Sequence, residues 1–343
     1  MAGRLTRLRT AWTTRIRTLS WPFGTQATAS KKTVLFYRDF RGFTGGHLKV
    51  WHYFNHVQHA TGYRPRIAFS ADTLWDSTNP WLPMRDEALP AWNPEQADIL
   101  FLAGMDWTIL SETQRRSFPK PVINLIQHVR HADPNELLYQ YLTHRAIRIC
   151  VSESVAEALQ ATRRVNGPLF TIPNGIEPVE QSLSVRLREA RDLDVLIVGI
   201  KQPALAATLD SALKTTNLRV RTLTEPVPRP AFLESLSHAG IAVFLPHATE
   251  GFYLPALEGM ALETLIICPD CIGNRTFCWP GVNCLQPAYR TDSLLQAIQQ
   301  ALRLSPQERQ ALLKAGRQTA QRHSLEKERQ SFLEILRQVD RLW

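Results

Sequence analysis

The stretch ATEGFYLPALEGMALE, from Ala248 to Glu263, sets three carboxylates, Glu250, Glu258 and Glu263, in an otherwise apolar segment. Acidic side chains are seldom buried without a partner. Such acids either line a solvated helix edge or accept hydrogen bonds from the hydroxyls of a ligand. Other places carry side chains with chemistry. Gly45-Gly46-His47 stands where a strand should give way to a helix, and such a loop can bring backbone amides against a diphosphate or an acceptor. His128 and His131 follow the apolar run PVINLI, and Gly199 and Lys201 follow LDVLIV. His47, His52, His56 and His59 invite a metal reading, but no carboxylate or cysteine nearby completes the set, so a surface or acceptor-cleft stripe is expected. Cys268, Cys271, Cys278 and Cys284 could hold zinc as thiolates. Their spacing is not that of two paired knuckles, and Cys268 ends an apolar strand, so free thiols in an apolar loop are expected instead.

These residues need a frame. The chain has 343 residues, 44% hydrophobic and 21% charged, which is ordinary globular composition. That length suggests two domains of about 150 residues. Of the formal net charge of +9, residues 1–32 carry +7 with no acid, leaving +2 for the remainder. No basic stripe with interleaved aromatics follows, which argues against nucleic acid as a partner. The chain opens without a continuous apolar h-region and holds no apolar run of about 18 residues. A secretory signal and a transmembrane helix are therefore not expected, and a cytoplasmic protein with reduced thiols is. In the basic arm, Leu5, Leu8, Trp12, Ile16 and Leu19 recur at helical steps among arginines. Two readings stand: an interfacial helix over residues 4–23 on an anionic membrane surface, or a disordered basic tail.

Hydrophobic patterning predicts strands at residues 33–37, 66–70, 97–104, 121–127, 145–152 and 168–177, with helices after Gly46 and over 154–162. The pattern then restarts, with strands at 193–201, 218–223, 241–248 and 264–270. Helices are expected over 204–214, over 229–240 with Gly240 past the end, and through nearly all of the tail from Ser293 to Trp343. Alternating short strands and helices mark parallel α/β sheets, which bind ligands off the carboxyl ends of their strands.

At this point the residues become specific. TEGFYLPALEGMA, then TLIICPD, GNR and GVNCLQP, resemble the donor-binding block of GT-B glycosyltransferases. The closest likeness is to the large retaining family that uses nucleotide sugars, glycosyltransferase family 4. That family carries two glutamates separated by seven residues, here Glu250 and Glu258, with Gly251, Phe252, Leu254 and Pro255 between them. IPNGIE resembles its domain-joining turn at Pro173, Asn174 and Gly175. The Gly45-Gly46 loop, the strand-to-helix junction at Ser152 and the closing HSLEKERQSFLEIL fit as well, so the likeness runs through residues 33–343. It implies an α/β protein of two doubly wound Rossmann-like domains facing a cleft. The acceptor-side domain would span 33–185 and the donor-binding domain 186–322, with a helix over 323–343 crossing back.

The resemblance also implies roles. Glu250 would contact the transferred sugar, Glu258 the ribose, and His128 would stand near the reaction centre. Gly45, Gly46, Gly199, Lys201, Gly251, Phe252, Leu254 and Arg275 would serve the donor, and His47 and His131 the acceptor side. The physical chemistry agrees: carboxylates accept from sugar hydroxyls, and N–H groups opening a helix face phosphate oxygens. Glu263, at the helix end, reads as solvent-facing or a local cap. One departure stands out. The family commonly has Gly-Arg and then a Lys on the diphosphate, whereas here Ile200 replaces the Arg and no second Lys follows in that loop. Lys201 would supply the charge, with help from Arg275. The implied reaction is hexosyltransferase-like transfer from a nucleoside diphosphate sugar to a glycan or lipid-linked hydroxyl, with retention and without a metal or other cofactor. It would serve surface polysaccharide or glycolipid synthesis on the inner face of the membrane. The altered loop points to a rival, a degenerate relative that binds sugar or nucleotide without turnover. A GT-B epimerase or phosphorylase is the third reading, against which the Glu250/Glu258 block argues.

Overall fold

Short apolar strands followed by helices assemble here into two sheets, and every strand pair in both is parallel. The computed structural model describes residues 30–179 and 191–343. The basic arm over residues 4–23 and the boundary expected at residue 185 lie outside the described residues. The first half runs β1 (Lys32–Arg38), α1 (Gly45–Gln58), β2 (Tyr63–Phe69), β3 (Ile99–Ala103), α2 (Glu112–Ser117), β4 (Val122–Ile126), α3 (Leu137–Gln140), β5 (Ile147–Cys150), α4 (Glu153–Ala161) and β6 (Leu169–Thr171). Its strands lie in the order β2-β1-β3-β4-β5-β6. The second half runs β7 (Leu193–Val198), α5 (Pro203–Leu213), β8 (Val220–Leu223), α6 (Arg229–His238), β9 (Ala239–Phe244), α7 (Leu254–Ala261) and β10 (Leu265–Ile267), in the order β10-β9-β7-β8. Four helices close the chain: α8 (Thr291–Arg303), α9 (Pro306–Arg322), α10 (Leu325–Arg337) and α11 (Val339–Leu342). Lys31–Trp343 form one compact unit.

The central strands β3, β4 and β5 are buried at every position, as strands covered on both faces must be. Register fixes their ends: Leu100 lies opposite Val122, and Ile123 opposite Ile147. Three expectations shift. The strand expected over 168–177 pairs only through Leu169–Thr171, because Pro173 offers no ladder donor. The strand expected over 264–270 stops at Ile267, two residues before Pro269. Gly240 does lie past the end of α6, but the strand expected over 241–248 already begins at Ala239 and ends at Phe244.

The two halves are joined where the tail returns. Ile176 N–H donates to the His323 carbonyl at 2.8 Å, and Leu325 N–H to the Ile176 carbonyl at 3.1 Å. Gly175 is pressed so close to this crossing that a Cβ would stand 2.5 Å from the Ser324 carbonyl oxygen. The turn residue is therefore glycine for want of space. Just beyond it α10 lays Glu328 against α1. Lys49 Nζ donates to Glu328 Oε2 at 2.5 Å, Gly175 N–H donates to the same oxygen at 2.5 Å, and His56 Nε2 meets Oε1 at 3.0 Å. His52 bonds Glu177 at 3.3 Å.

This corrects the histidine stripe expected on the surface. His52 is 4% and His56 5% exposed, because α10 covers that face of α1, and of the three helix-face histidines only His59 remains outside. Burial alone would raise the Glu328 carboxyl, but Lys49 and His56 more than offset it and hold it at about 2, from an ordinary 4.5. Glu177 is also held at about 2, first by its bond to His52 and then, against burial, by Arg229. A folded pKa below the unfolded one gives stability that is complete above the unfolded value and lost as the carboxylate protonates. Unfolding free energy, followed with urea, is therefore expected to fall as pH drops from 4.5 towards 2. A flat profile through that window would mean the network contributes no stability.

Candidate functional site

The carboxyl ends of β1, β4, β7 and β9 supply the residues singled out in the sequence. Thr44 caps α1 through its side chain, which accepts from His47 N–H at 3.3 Å, so Gly45 and Gly46 open the helix with their amides outward. Gln127, just past β4, donates from Nε2 to the Gly46 carbonyl at 3.3 Å. Past β7, Gly199 lies against Ala206 of α5, and Gln202 Nε2 ties the loop to the Pro246 carbonyl at 2.7 Å. That tie sets Lys201 beside the segment following β9, where its Nζ stands 3.7 Å from Glu250 Oε1.

The two halves touch at Gly251. Its carbonyl accepts from Ser152 Oγ at 2.9 Å, and Ser152 also caps α4. A Cβ on residue 251 would lie 2.1 Å from the Gln127 carbonyl oxygen. Gly251→Ala is expected to push these two backbones apart, at a cost of about 1–3 kcal/mol from overpacking, measured by urea unfolding. Retention of full stability would show that the contact is not made in solution. Leu254 approaches from the same side, 3.7 Å from where a Gly45 Cβ would be.

Gly45, Gly46, His128, Lys201, Glu250, Gly251 and Leu254 are thus brought together. His128 accepts from Arg130 N–H at Nδ1, 3.0 Å away, which leaves a proton on Nε2. Burial, then Arg130, Lys201 and His247, depress its pKa to about 4, so at neutral pH it is a neutral donor rather than a cation. His47 is similar: Arg38 Nη2 meets its Nδ1 at 2.9 Å, and burial followed by Arg38 brings its pKa to about 4. Arg38 has no lone pair to offer, so it donates and His47 also keeps its proton on Nε2. Arg38 is in turn held by Asp106, 2.8 Å away and buried after β3.

Other residues named from the sequence lie elsewhere. His131 is 3% exposed, under the short turn that His128 caps, and offers an acceptor no surface. Phe252 turns inward against Phe277, with ring centroids 5.1 Å apart, and so anchors the loop from below. Arg275 bonds Asp270 through Nε at 3.0 Å and Nη2 at 2.6 Å on the open surface. Glu263 pairs with Arg317 at 2.7 Å. All five cysteines are free and buried, and Cys278 contacts Cys268 and Cys284. Among the described residues no group of three or more His, Cys, Asp or Glu side chains is placed to hold a metal ion, and no helix is long and apolar enough to cross a membrane.

Solved structures share this architecture. Sucrose-phosphate synthase from Thermosynechococcus elongatus superposes with a TM-score of 0.66 at 16% identity, over 90% of this chain and 99% of that one. HepE from Anabaena, in complex with UDP-glucose, gives 0.65 at 13% identity, over 89% and 99%. The chain has the GT-B fold. MnaA from S. aureus, solved with UDP, gives 0.58 at 9% identity, over 91% and 98%. No family model and no curated protein matches the sequence.

Gly45, Gly46, His128, Lys201, Glu250, Gly251 and Leu254 mark one place where the two halves meet. Two that sequence reading missed also belong to its neighbourhood. Glu258 is only 5% exposed, and its Oε1 accepts from Arg229 Nη1 at 2.5 Å. Arg229 Nη2 donates to Glu177 Oε2 at 3.2 Å. Arg229 opens α6 behind Pro228, and nothing local marks it as more than a surface residue. Glu177 follows the Pro-Asn-Gly turn and carried the only local signal of the pair.

Proposed function

We propose that the chain transfers a glycosyl group from a nucleoside diphosphate sugar to an acceptor hydroxyl. The observation that carries this reading is the meeting of Lys201, Glu250, His128 and the Gly45-Gly46 helix entry at the facing strand ends of a GT-B fold. Glu250 would accept from hydroxyls of the transferred sugar, and Glu258 from the ribose. Lys201 and the amides opening α1 would stabilise negative charge on the departing diphosphate. His128 would offer Nε2–H to the sugar or a phosphate oxygen.

With Glu250 accepting from sugar hydroxyls rather than attacking the anomeric carbon, retention would follow a same-face path through an oxocarbenium-like state. The glycosidic bond to phosphate breaks, the acceptor oxygen bonds the anomeric carbon, and the leaving diphosphate takes the acceptor's proton. Positioning and electrostatics then do the catalysis, and no metal is needed. Arg38, His47 and Asp106 would shape the acceptor side. A lipid-linked acceptor at the inner face of the cell membrane fits the basic arm over residues 4–23, and with it a role in surface polysaccharide or glycolipid synthesis.

The test is binding and hydrolysis of UDP-, GDP-, ADP- and dTDP-sugars by wild type and Glu250→Gln. Turnover of one donor, reduced in the variant, supports transfer. Binding without turnover, in the presence of a range of acceptors, supports the degenerate reading to which Ile200 points. No binding at millimolar donor by folded protein would sink both.

A further inference from the structure

Glu258 reads in the sequence as a lone acid on an apolar helix. The structure gives it a partner and an unequal pair of oxygens. Oε1 is engaged by Arg229 Nη1 at 2.5 Å, while Oε2 accepts no hydrogen bond from the described residues. Arg229 is itself anchored, since Nη2 reaches Glu177 Oε2 at 3.2 Å and Glu177 is bonded by His52 of α1. The planar guanidinium, fixed at two points, sets the rotation of the Glu258 carboxylate plane.

We propose that Arg229 is the positioning residue of the donor site. It holds Glu258 with one oxygen engaged, so that the other accepts from the ribose hydroxyls of a nucleoside diphosphate sugar. This rests on the reading of Glu258 as the ribose acceptor given above. Arg229 touches no ligand in this arrangement; it acts through Glu258. The signature is selective, because a carboxylate presented to the ribose diol distinguishes a ribonucleotide from its 2′-deoxy form. Loss of the positioning residue should remove that distinction and leave the rest of the donor contacts in place. A merely structural residue would weaken both ligands alike.

The experiment is calorimetric titration of the full chain with UDP and 2′-deoxy-UDP, and with the GDP and ADP pairs should UDP not bind. Wild type, Arg229→Gln and Arg229→Lys are compared. Wild type is expected to favour the ribonucleotide by about tenfold, the worth of one hydrogen bond to a charged group. Arg229→Gln is expected to bring that preference to within about twofold, with affinity for the deoxy form nearly unchanged. Arg229→Lys keeps the charge without the fork and should fall between; it also carries the comparison alone if the glutamine variant does not fold. Undiminished preference in both variants overturns the proposal. So does tighter ribonucleotide binding in Arg229→Gln, since the arginine would then compete with ribose. Equal loss for both ligands overturns it as well. Wild type that binds no nucleotide sinks the donor reading itself, and wild type that binds both forms equally sinks the ribose role of Glu258.

Discussion

Replacing Glu328 with alanine is expected to destabilise the chain by about 3–5 kcal/mol, the usual consequence of breaking a buried ion pair from one side. Its side chain is 0% and that of Lys49 1% exposed, so neither finds water when the other is removed. Lys49 would keep only the Gly175 carbonyl and His52, at 3.1 and 3.0 Å. Burial already pulls its ammonium below the usual value against the attraction of Glu328, and the orphaned lysine would lose that attraction. The Gly175 N–H and His56 would lose their acceptor in the same step. Urea unfolding of Glu328→Ala and of the double variant Lys49→Met/Glu328→Met separates the contributions. The double variant should recover much of the loss, because no uncompensated charge remains. A single-variant loss below about 1 kcal/mol would show that this network is open in solution.

Lys201→Ala is expected to lower kcat for donor turnover by about 100- to 1,000-fold, the effect of removing one preorganised stabiliser of developing charge. Ile200 stands where a second cation would have been, and Arg275 is committed to Asp270 by three contacts on the open surface. Lys201 is half exposed and meets Glu250 only at 3.7 Å, so its loss should leave stability nearly unchanged. Arg275→Ala is the control and should stay within about twofold, since an exposed pair contributes little. Single-turnover measurements on both variants decide the matter. Equal losses, or the larger loss in Arg275→Ala, would overturn this division of charge.

Much of the fold could be read in the sequence because its signals are local. ILFLA is apolar at every position and VINLI at all but Asn124, which marks central parallel strands, and Thr44-Gly45-Gly46 carries both a cap and a helix start. The Glu250–Glu258 block was legible for the same reason: strand, loop and helix follow one another within 25 residues, from Ala239 to Glu263. What escaped depends on distance. The α1 histidines have the spacing of a surface stripe, and the return of α10 buries His52 and His56 among them. Arg229 is 29 residues from Glu258 and 52 from Glu177, and no periodicity joins the three. Arg275 sits in a turn of the right kind, but Asp270, five residues earlier, captures it. Proline in the chain likewise set strand ends that hydrophobicity alone overran.

The crossing of α10 onto α1 also dictates an order of events during synthesis. Lys49 and Glu328 are 279 residues apart, and Gly175 and Glu328 are 153 apart. At the usual rate of translation, about 5–20 residues per second, the first sheet is complete for roughly ten to thirty seconds before its acid emerges from the ribosome. Throughout that interval Lys49 and His56 of α1 lack the Glu328 carboxylate, and Tyr53 lacks the Phe332 ring. Part of the α1 face therefore stays open on the nascent chain, and α10, the next-to-last helix to be made, is the one that covers it.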